Sequence, residues 1–322
     1  MATFTQLNPD QIQQLAQEYE LSMTEYEPLV GGNGNSSYIL KTESATYVLT
    51  VCDDKEFDEV SIIAQLLKLL EAHHIPCTRL ISPLDHVLLT TFEGKAVMLK
   101  GYIEGQVIEQ LNEQQLKQVG EQAATLNQIP PPDYIPTEHP YGRTLFPLAI
   151  GLNIDNKYET WLAKELAFLN QNVSLDLPRG LIHGDLFYDN FLFGHDKAQD
   201  QFIALLDFEE ACHYYLVFEL GMAIVGTCVS GDEEMVEGEK IDFAKARALV
   251  GGYQKVRPLA QLEKASLQMF VRYAATATSY WRFNQYNVAN PSDELAGHHW
   301  GMVKLAQNVT DIPSTEFLKR VF

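Results

Sequence analysis

The chain has 322 residues, of which 46% are hydrophobic and 20% are charged, and this composition is typical of a globular protein with a substantial core. Its formal net charge is −20 and no basic stripe stands out, so we expect no nucleic-acid partner. No stretch offers the roughly 20 consecutive apolar residues that span a bilayer, and the N-terminal segment lacks the pattern of a secretory signal. The four cysteines form no C-x-x-C pair, so we expect a cytoplasmic protein without disulfides.

The first hundred residues carry the patterns of a small β-sheet with one helix. Residues 25–30 are predicted as a strand, and residues 38–52 as a hairpin whose turn lies at residues 41–45. Residues 53–74 are predicted as a helix, because their apolar side chains recur at spacings of three and four. Two further strands are predicted on either side of the polar turn at residues 93–94.

The rest of the chain favours helices. Helical periodicity covers residues 113–128, 156–170, 217–229, 242–256 and 259–283. We therefore predict an α+β protein with two lobes: a small antiparallel β lobe with one helix over residues 1–100, and a larger, mainly helical lobe over residues 101–322. Ligands commonly bind in the cleft of such a two-lobed protein.

The segment LVGGNGNSSYIL places Gly31, Gly32 and Gly34 between two predicted strands. Glycines allow backbone N–H groups to turn toward a phosphate group without a clash from a Cβ atom. The same residues also suit an ordinary hairpin turn, and the segment alone does not decide between these two interpretations.

The segment LIHGDLFYDN is polar at its centre and apolar at both ends. Asp185 follows His183 by two residues, and Asn190 follows Asp185 by five. The apolar pair Leu181-Ile182 precedes these residues and the run 191–193 follows them, so we expect a loop that packed core holds at both ends. The alternative is a polar loop in which Asp and Asn merely cap the backbone.

A second motif, FIALLDFEEAC, is a β-type run that leads to Asp207. A carboxylate at the end of a buried strand costs free energy unless it is paired, and a divalent cation would pair it. Asn190 and Asp207 offer one amide oxygen and one carboxylate, which are ligands that Mg²⁺ prefers. Asp185 would then accept a hydrogen bond from a substrate hydroxyl, as in the H-x-D-x-x-x-x-N and D arrangement of kinase-type phosphoryl transfer.

Three histidines stand out, and none of them is interpreted as a metal ligand. His183 is expected to support its loop through hydrogen bonding and packing rather than through chemistry. His298 and His299 are adjacent and diverge on a helix, and no acidic or thiol partner stands at ligand spacing. We therefore expect these two residues at the surface or in a substrate cleft, and not at a metal.

Taken together, GGNGN, MLKGYIEG, HGDLFYDN and LLDFEEAC resemble the aminoglycoside phosphotransferase and choline kinase superfamily, whose fold is protein-kinase-like. Within it, the segments GLIHGDLFYDNFLF, FELGMAIVGTC and GGYQKVRPLAQLEKASL resemble bacterial homoserine kinases of the threonine pathway. The resembling segments extend over residues 25–285.

The resemblance implies ATP and Mg²⁺ as cofactors and assigns roles to particular residues. It implies that Asp185 positions and deprotonates the acceptor hydroxyl, that Asn190 and Asp207 bind Mg²⁺, and that His183 supports the loop. The residues expected to meet the nucleotide are Gly31, Gly32, Gly34 and Asn35 over the phosphates, and the backbone near Lys100 and Tyr102 at the adenine edge.

The chain departs from the superfamily pattern at a few positions. Kinases of this fold usually carry a Lys on the third strand, paired with a Glu of the following helix, but this chain has Thr50 there. Lys55 is a candidate for the missing cation, with Glu56 or Glu59 as the helix partner. Asn127 stands where a His is common.

The acceptor site is the least determined part of the sequence. Tyr188 stands beside Asp185 where family loops commonly have Arg or Pro, which leaves the identity of the substrate open. Tyr188 and Glu210 are candidates for contacts with the acceptor. Arg272 and Arg282 are candidates for binding a substrate carboxylate, and the alternative for both is an ion pair within the protein.

Three functions remain open on the sequence. The first is a small-molecule kinase that transfers the γ-phosphoryl group of MgATP to a primary alcohol, L-homoserine. The second is a related kinase acting on choline, ethanolamine or an aminoglycoside. The third is a nucleotide-binding pseudokinase, which Thr50 suggests but the intact Asp185, Asn190 and Asp207 argue against. In the first two cases the partner is a small alcohol, an amino acid or an amine, and no membrane partner is expected.

Overall fold

The structure is a computed structural model, and it describes residues 5–29, 35–84, 87–195, 201–230 and 240–322. The chain forms two compact units. The first contains residues up to 105 together with residues 203–209, and the second contains residues 106–202 and 210–322. Among the described residues, no helix is both long enough and apolar enough to cross a membrane.

The first unit is built on one antiparallel sheet. Its strands are β1 (Met23–Leu29), β2 (Asn35–Thr42), β3 (Thr46–Cys52), β4 (Leu80–Ile81), β5 (Thr90–Phe92) and β6 (Lys95–Gly101). They are ordered β1-β2-β3-β6-β4, and β5 also pairs with β6. The predicted hairpin is confirmed as β2 and β3, and the predicted strands around residues 93–94 are confirmed as β5 and β6.

Within the described residues of the first unit, two helices accompany this sheet, whereas the sequence predicted one. Helix α1 (Pro9–Gln17) was missed, because only three of its nine residues are buried and its apolar pattern is therefore short. Its start is fixed by Asn8, whose Oδ1 accepts the Gln11 N–H while Gln11 Oε1 accepts the Asn8 N–H. Its buried face joins the core formed with the central strands of the sheet.

The predicted helix over residues 53–74 is observed as α2 (Phe57–Ala72). It begins later than predicted because Asp53 is held by other partners. The Asp53 carboxylate accepts hydrogen bonds from Lys95 Nζ (2.6 Å), Thr5 Oγ1 (2.5 Å) and Ser36 Oγ (2.5 Å). Helix α2 therefore starts after the segment that this network fixes.

The second unit is mainly helical. Its helices are α3 (Glu113–Leu126), α4 (Asn156–Asn172), α5 (Leu216–Thr227), α6 (Phe243–Val256), α7 (Gln261–Phe283), α8 (His299–Asp311) and α9 (Ser314–Val321). Its short strands are β7 (Arg179–Ile182), β8 (Phe191–Phe193), β10 (Cys212–Tyr215), β11 (Val229–Ser230) and β12 (Lys240–Ile241), and β9 (Phe202–Leu205) begins in it. All five predicted helices are confirmed, and their ends agree to within two residues. A π-helical turn (Asn284–Ala289), α8 and α9 were not predicted.

Helix α5 is the centre of the second unit, because every one of its residues is buried. The side chains are apolar except for those of Glu219 and Thr227. A helix that is apolar on all sides is expected in the interior of a large domain. The single charged residue of this helix, Glu219, therefore lies in the core of the unit.

Helices α3 and α6 pack at backbone contact distance through glycines. A Cβ atom on Gly252 would overlap the carbonyl oxygen of Lys117, and one on Gly120 would overlap the carbonyl oxygen of Leu249. The same two helices are also joined by a hydrogen bond from Tyr253 Oη to Asn127 Oδ1 (2.6 Å). Glycine at these contacts is therefore required by the packing of the two helices.

We expect Gly252→Ala to destabilise the protein by about 2–4 kcal/mol, because the new methyl group must displace the backbone of α3. Gly251→Ala is the matched control, since no atom lies within 4 Å of the Cβ position at this neighbouring residue. Its higher helix propensity should stabilise the protein by up to about 1 kcal/mol. Urea unfolding of the two variants side by side measures the difference, and equal free energies of unfolding would contradict the packing argument.

Candidate active site

The loop predicted from HGDLFYDN connects β7 to β8 in the second unit. Leu181 and Ile182 end β7 and are fully buried, and the residues of β8 are buried as well. Strand β7 pairs antiparallel with β10, which fixes its direction. Packed core therefore holds both ends of the loop, as the sequence indicated.

The buried carboxylate of Glu219 anchors the start of the loop. Its Oε1 accepts the His183 N–H (2.8 Å) and its Oε2 accepts the Gly184 N–H (3.0 Å). Burial raises the pKa of Glu219 to about 7, while these N–H donors and the Asn127 side chain act in the opposite direction. Sequence reasoning missed this residue, although a lone acidic residue in a wholly apolar helix is a signal that a buried partner exists.

His183 lies inside the loop and is completely buried. Its Nδ1 accepts the N–H of Asp185 (3.2 Å), so the ring fixes the backbone two residues along the chain. Asn127 holds the preceding strand, because its Nδ2 donates to the Leu181 carbonyl (2.9 Å). The proposed supporting role of His183 rests on this geometry.

The structure brings Asp185 and Asn190 together. Asn190 Nδ2 donates to the Asp185 carbonyl (2.7 Å) and to Asp185 Oδ2 (3.1 Å). A short 3₁₀ turn (Tyr188–Asn190) closes the loop, with the Asn190 N–H donating to the Phe187 carbonyl. On the other side, the hydroxyl of Tyr141 donates to Asp185 Oδ1 (3.0 Å). Both carboxylate oxygens of Asp185 are thus oriented, and Tyr141 is a site residue that the sequence did not indicate.

Asp207 lies in the first unit, two residues beyond the end of β9. It has a left-handed backbone conformation with φ of 55°, which is uncommon for a residue other than glycine. Its Oδ1 accepts the Glu209 N–H (3.3 Å). The side chain is exposed, so the desolvation cost that the sequence argument assigned to Asp207 is not incurred.

Oxygen donors suited to Mg²⁺ are present. Both hydrogen bonds of Asn190 described above are donated by its amide nitrogen. They fix the plane of the amide group and therefore the direction of the amide oxygen. An amide oxygen and the Asp207 carboxylate match the ligand preference of Mg²⁺, which keeps several waters and binds substrate phosphates. No group of three or more His, Cys, Asp and Glu side chains within the described ranges could hold a metal ion. Each of these two donors, one in either unit, is by itself a type of oxygen ligand that Mg²⁺ accepts.

The candidate cation Lys55 forms an ion pair within the first unit. Its Nζ lies 2.5 Å from Glu209 Oε2, and Glu209 Oε1 accepts a hydrogen bond from Asn35 Nδ2 (3.0 Å). Glu59 was offered as the helix partner of this lysine. Its Oε2 instead caps α2 by accepting the Glu56 N–H. Thr50 is buried on β3, with its Oγ1 3.1 Å from Ser37 Oγ.

The nucleotide-binding residues predicted in the first unit are placed only in part. Gly31, Gly32 and Gly34 lie outside the described residues. Lys100 lies next to the last residue of β6, paired with Val48 of β3, and is half-buried, and Tyr102 is 46% exposed. The N–H groups of Gly101 and Tyr102 donate to the carbonyls of Arg79 and Thr46. An adenine contact at Gly101 and Tyr102 therefore has to use carbonyl groups.

The candidates for the acceptor site lie in the second unit. Tyr188 is half-buried beside the loop, and burial, with the nearby Asp189 and Glu109, raises its pKa. Glu210 is half-buried, and its carbonyl oxygen lies close to Gly184. Both residues are therefore near the segment that carries Asp185.

The two candidate arginines differ in their surroundings. Arg272 forms a bidentate ion pair with Glu165, with Nε 2.7 Å from Oε2 and Nη2 2.8 Å from Oε1. Its guanidinium group also lies over the Phe168 ring, 3.8 Å from the ring centroid. Glu165 therefore binds the guanidinium N–H groups of Arg272 that were expected to bind a substrate carboxylate. Arg282 makes a long contact of 3.5 Å to the His298 carbonyl at the surface.

One expectation about the histidines is wrong. His299 is 2% exposed and packs against the rings of Tyr158 and Phe283, rather than lying at the surface or in a cleft. It begins α8, and this helix packs on α7 with the ring turned inward. His298 is exposed, as expected. The sequence interpretation placed both histidines on a helix but not the packing of that helix, which buries His299 against Tyr158 and Phe283.

Comparisons with known proteins identify the class. The profile described as "Phosphotransferase enzyme family" (APH) matches residues 25–259. The chain belongs to this family of phosphotransferases. The homoserine kinase of Rhizobium meliloti (strain 1021) is 27% identical over 285 residues, which cover 85% of this chain and 84% of that protein.

Solved structures show the same fold at lower identity. The microcompartment-associated aminopropanol kinase has a TM-score of 0.68 and 17% identity, covering 96% of this chain and 99% of that one. Amicoumacin kinase hAmiN, in complex with AMP-PNP, Ca²⁺ and Ami, has a TM-score of 0.70 and 14% identity over 96% and 97% of the two chains. The predicted fold class, an α+β kinase-like fold, and the phosphotransferase assignment are confirmed.

We expect the stability of the wild type to fall relative to that of Glu219→Gln as the pH rises. Because the folded-state pKa of about 7 exceeds the usual 4.5, the folded protein retains a proton that the unfolded chain releases. The proton retained by Glu219 therefore contributes to the free energy of unfolding below pH 4.5, and this contribution is lost as the pH rises through about 7. The total loss is on the order of 3 kcal/mol. Urea unfolding of both proteins at pH 5 and pH 8 measures it, and parallel pH dependences would contradict the assignment.

Proposed function

We propose that this protein transfers the γ-phosphoryl group of MgATP to the primary hydroxyl group of L-homoserine. The observation that carries the proposal is the Asp185 carboxylate, which Tyr141 and Asn190 orient in a loop anchored on Glu219. The similarity to homoserine kinases over 85% of the chain supports the choice of acceptor.

In this proposal Asp185 acts as the general base. Transfer of a phosphoryl group passes through a loose transition state, so that catalysis consists mainly of positioning and charge neutralisation. An oriented carboxylate accepts the hydrogen bond of the acceptor hydroxyl, aims its oxygen and takes its proton. General base catalysis of this kind contributes about 10²–10⁴-fold in rate, or about 3–5 kcal/mol.

Asn190 and Asp207 are the proposed ligands of Mg²⁺. When bound, the ion compensates the negative charge of the transferring phosphoryl group. The Asn190 amide is held through its nitrogen, which fixes the direction of its oxygen. Asp207 is exposed and therefore available to a ligand from solution.

The nucleotide is proposed to lie against the first unit. The phosphates would meet the glycine segment Gly31, Gly32 and Gly34 together with Asn35, and the adenine edge would meet the backbone near Lys100 and Tyr102. Asn35 is held by Glu209, which also pairs with Lys55. Through Glu209, the Lys55 ammonium group is linked to Asn35, the residue that follows the glycine segment. This link supports Lys55 as the substitute for the lysine that is missing at Thr50.

The acceptor has an ammonium and a carboxylate group. Glu210 is the proposed partner of the ammonium group, with Tyr188 beside it, and Arg282 is a candidate for the carboxylate. The pairing of Arg272 with Glu165 favours a second candidate function, in which the acceptor is an amino alcohol without a carboxylate. The similarity in fold to an aminopropanol kinase is in keeping with this alternative.

One assay separates these functions. Release of ADP is measured with MgATP and a panel of homoserine, aminopropanol, choline, ethanolamine and kanamycin. Turnover with homoserine well above the other acceptors supports the proposal, whereas a preference for an amine without a carboxylate supports the alternative. Tight ATP binding without release of ADP for any acceptor would indicate a pseudokinase.

We expect Asp185→Asn to lower kcat by about 10²–10⁴-fold and to leave the affinity for MgATP within about threefold of the wild type. The amide retains the shape of the side chain but cannot accept the proton. Steady-state kinetics together with calorimetric nucleotide titration measure both effects. Full activity in this variant would show that Asp185 is not the base.

We expect Asp207→Ala to weaken the binding of MgATP as well as turnover, because it removes a ligand of the metal. Titration with ATP in the presence and absence of Mg²⁺ isolates the effect, since binding of metal-free ATP should change little. Glu43→Ala is a control, because this carboxylate is exposed in the β2–β3 turn. Unchanged MgATP affinity in Asp207→Ala would remove Asp207 from the metal site.

A further inference from the structure

The connection between α3 and α4 carries a short segment, residues 139–141, that contacts the catalytic loop within the second unit. His139 is 1% exposed, and Tyr141 is 7% exposed. Nothing in the sequence motifs singled out this segment. The proposed function uses the contact of Tyr141 with Asp185 but assigns no role to His139 or to the segment as a whole.

His139 links the segment to the loop backbone. Its Nδ1 accepts the Tyr141 N–H (3.3 Å), so the ring proton lies on Nε2, which donates to the Gly184 carbonyl (3.0 Å). Burial lowers the pKa of His139 to about 4, so the ring is neutral at neutral pH and makes one donor and one acceptor contact. The rings of His139 and Tyr141 meet edge to face at 4.3 Å.

Gly184 is confined at this point. Its φ is +86°, and a Cβ atom there would lie 2.6 Å from the Glu210 carbonyl oxygen and 3.0 Å from His139 Nε2. The loop backbone immediately before Asp185 is therefore clamped between the His139 ring and the backbone of Glu210. Tyr141, two residues after His139, then reaches the side chain that follows, with its hydroxyl 3.0 Å from Asp185 Oδ1.

We propose that Tyr141 is a positioning residue for phosphoryl transfer, holding Oδ1 of Asp185 while Asn190 holds Oδ2, with His139 fixing the loop from which Asp185 projects. This inference rests on the proposed function, because it assigns to Tyr141 the orientation of the general base. A carboxylate held at both oxygens cannot rotate away from the acceptor hydroxyl, and small misplacements of a reacting group cost large factors in rate. The tyrosine hydroxyl acts through Asp185 and does not itself exchange a proton with the substrate.

Tyr141→Phe removes only the hydroxyl group that donates to Asp185 Oδ1. The contacts of Asp185 with His183 and Asn190 are made by other atoms, so the difference between wild type and Tyr141→Phe isolates the effect of the tyrosine.

The test is the kinetics of Tyr141→Phe with the best acceptor of the panel. We expect kcat to fall about 10–100-fold and the KM for MgATP to change less than threefold. Tyr158→Phe is the matched control, because it also removes a buried tyrosine hydroxyl that has a hydrogen-bond partner, Ser279. A Tyr141→Phe enzyme with wild-type kcat, or with a loss of kcat equal to that of Tyr158→Phe, would overturn the inference.

A second measurement separates this inference from the proposed function. In protein labelled with ¹³C at the Asp carboxyl carbons, the Asp185 resonance is the one missing from Asp185→Asn, and its chemical shift at one fixed pH should change in Tyr141→Phe and not in Tyr158→Phe. An unchanged Asp185 resonance in Tyr141→Phe overturns the inference whether or not an acceptor is found. If the wild type phosphorylates no acceptor while the resonance changes, the proposed function fails and the contact of Tyr141 with Asp185 stands.

Discussion

The arrangement of the candidate site depends on one buried carboxylate. Glu219 lies in a helix whose other buried side chains are almost all apolar, and it accepts the N–H groups of His183 and Gly184. A buried carboxylate without such donors would be costly, and two buried N–H groups without an acceptor would be costly as well. The Glu219 carboxylate and the two loop N–H groups therefore satisfy each other's hydrogen bonds. A movement of the loop would leave both the carboxylate and the N–H groups buried without partners.

From this anchor the rest of the loop is fixed in steps. His183 holds the N–H of Asp185, Asn190 holds the carbonyl and one carboxylate oxygen, and Tyr141 holds the other oxygen. The donors come from the loop itself and from the connection between α3 and α4. A reaction that proceeds mainly by positioning benefits from such redundancy, because each contact removes one way for the base to rotate.

The family assignment and the acceptor rest on different kinds of observation. The match over residues 25–259 establishes a phosphotransferase. The acceptor depends on residues outside the catalytic motif, and the structure pairs one of its candidates, Arg272, with Glu165. Electrostatic demands of this kind discriminate between an amino acid and an amine, because a carboxylate needs a cation that is not already used.

The sequence by itself determined the elements with strong periodicity and the residues of the local motif. It predicted the hairpin of β2 and β3, helices α3 to α7, and the spacing of His183, Asp185 and Asn190, since these follow from patterns within a few residues. It missed α1, α8 and α9, where buried residues are few or the family resemblance is faint, and it expected His299 at the surface or in a substrate cleft. Only the tertiary structure decided that Glu219 and Tyr141 join the loop, because such contacts link residues about 35 to 44 positions apart. Hydrogen bonds of that separation depend on how helices pack, and no periodicity in the chain records them.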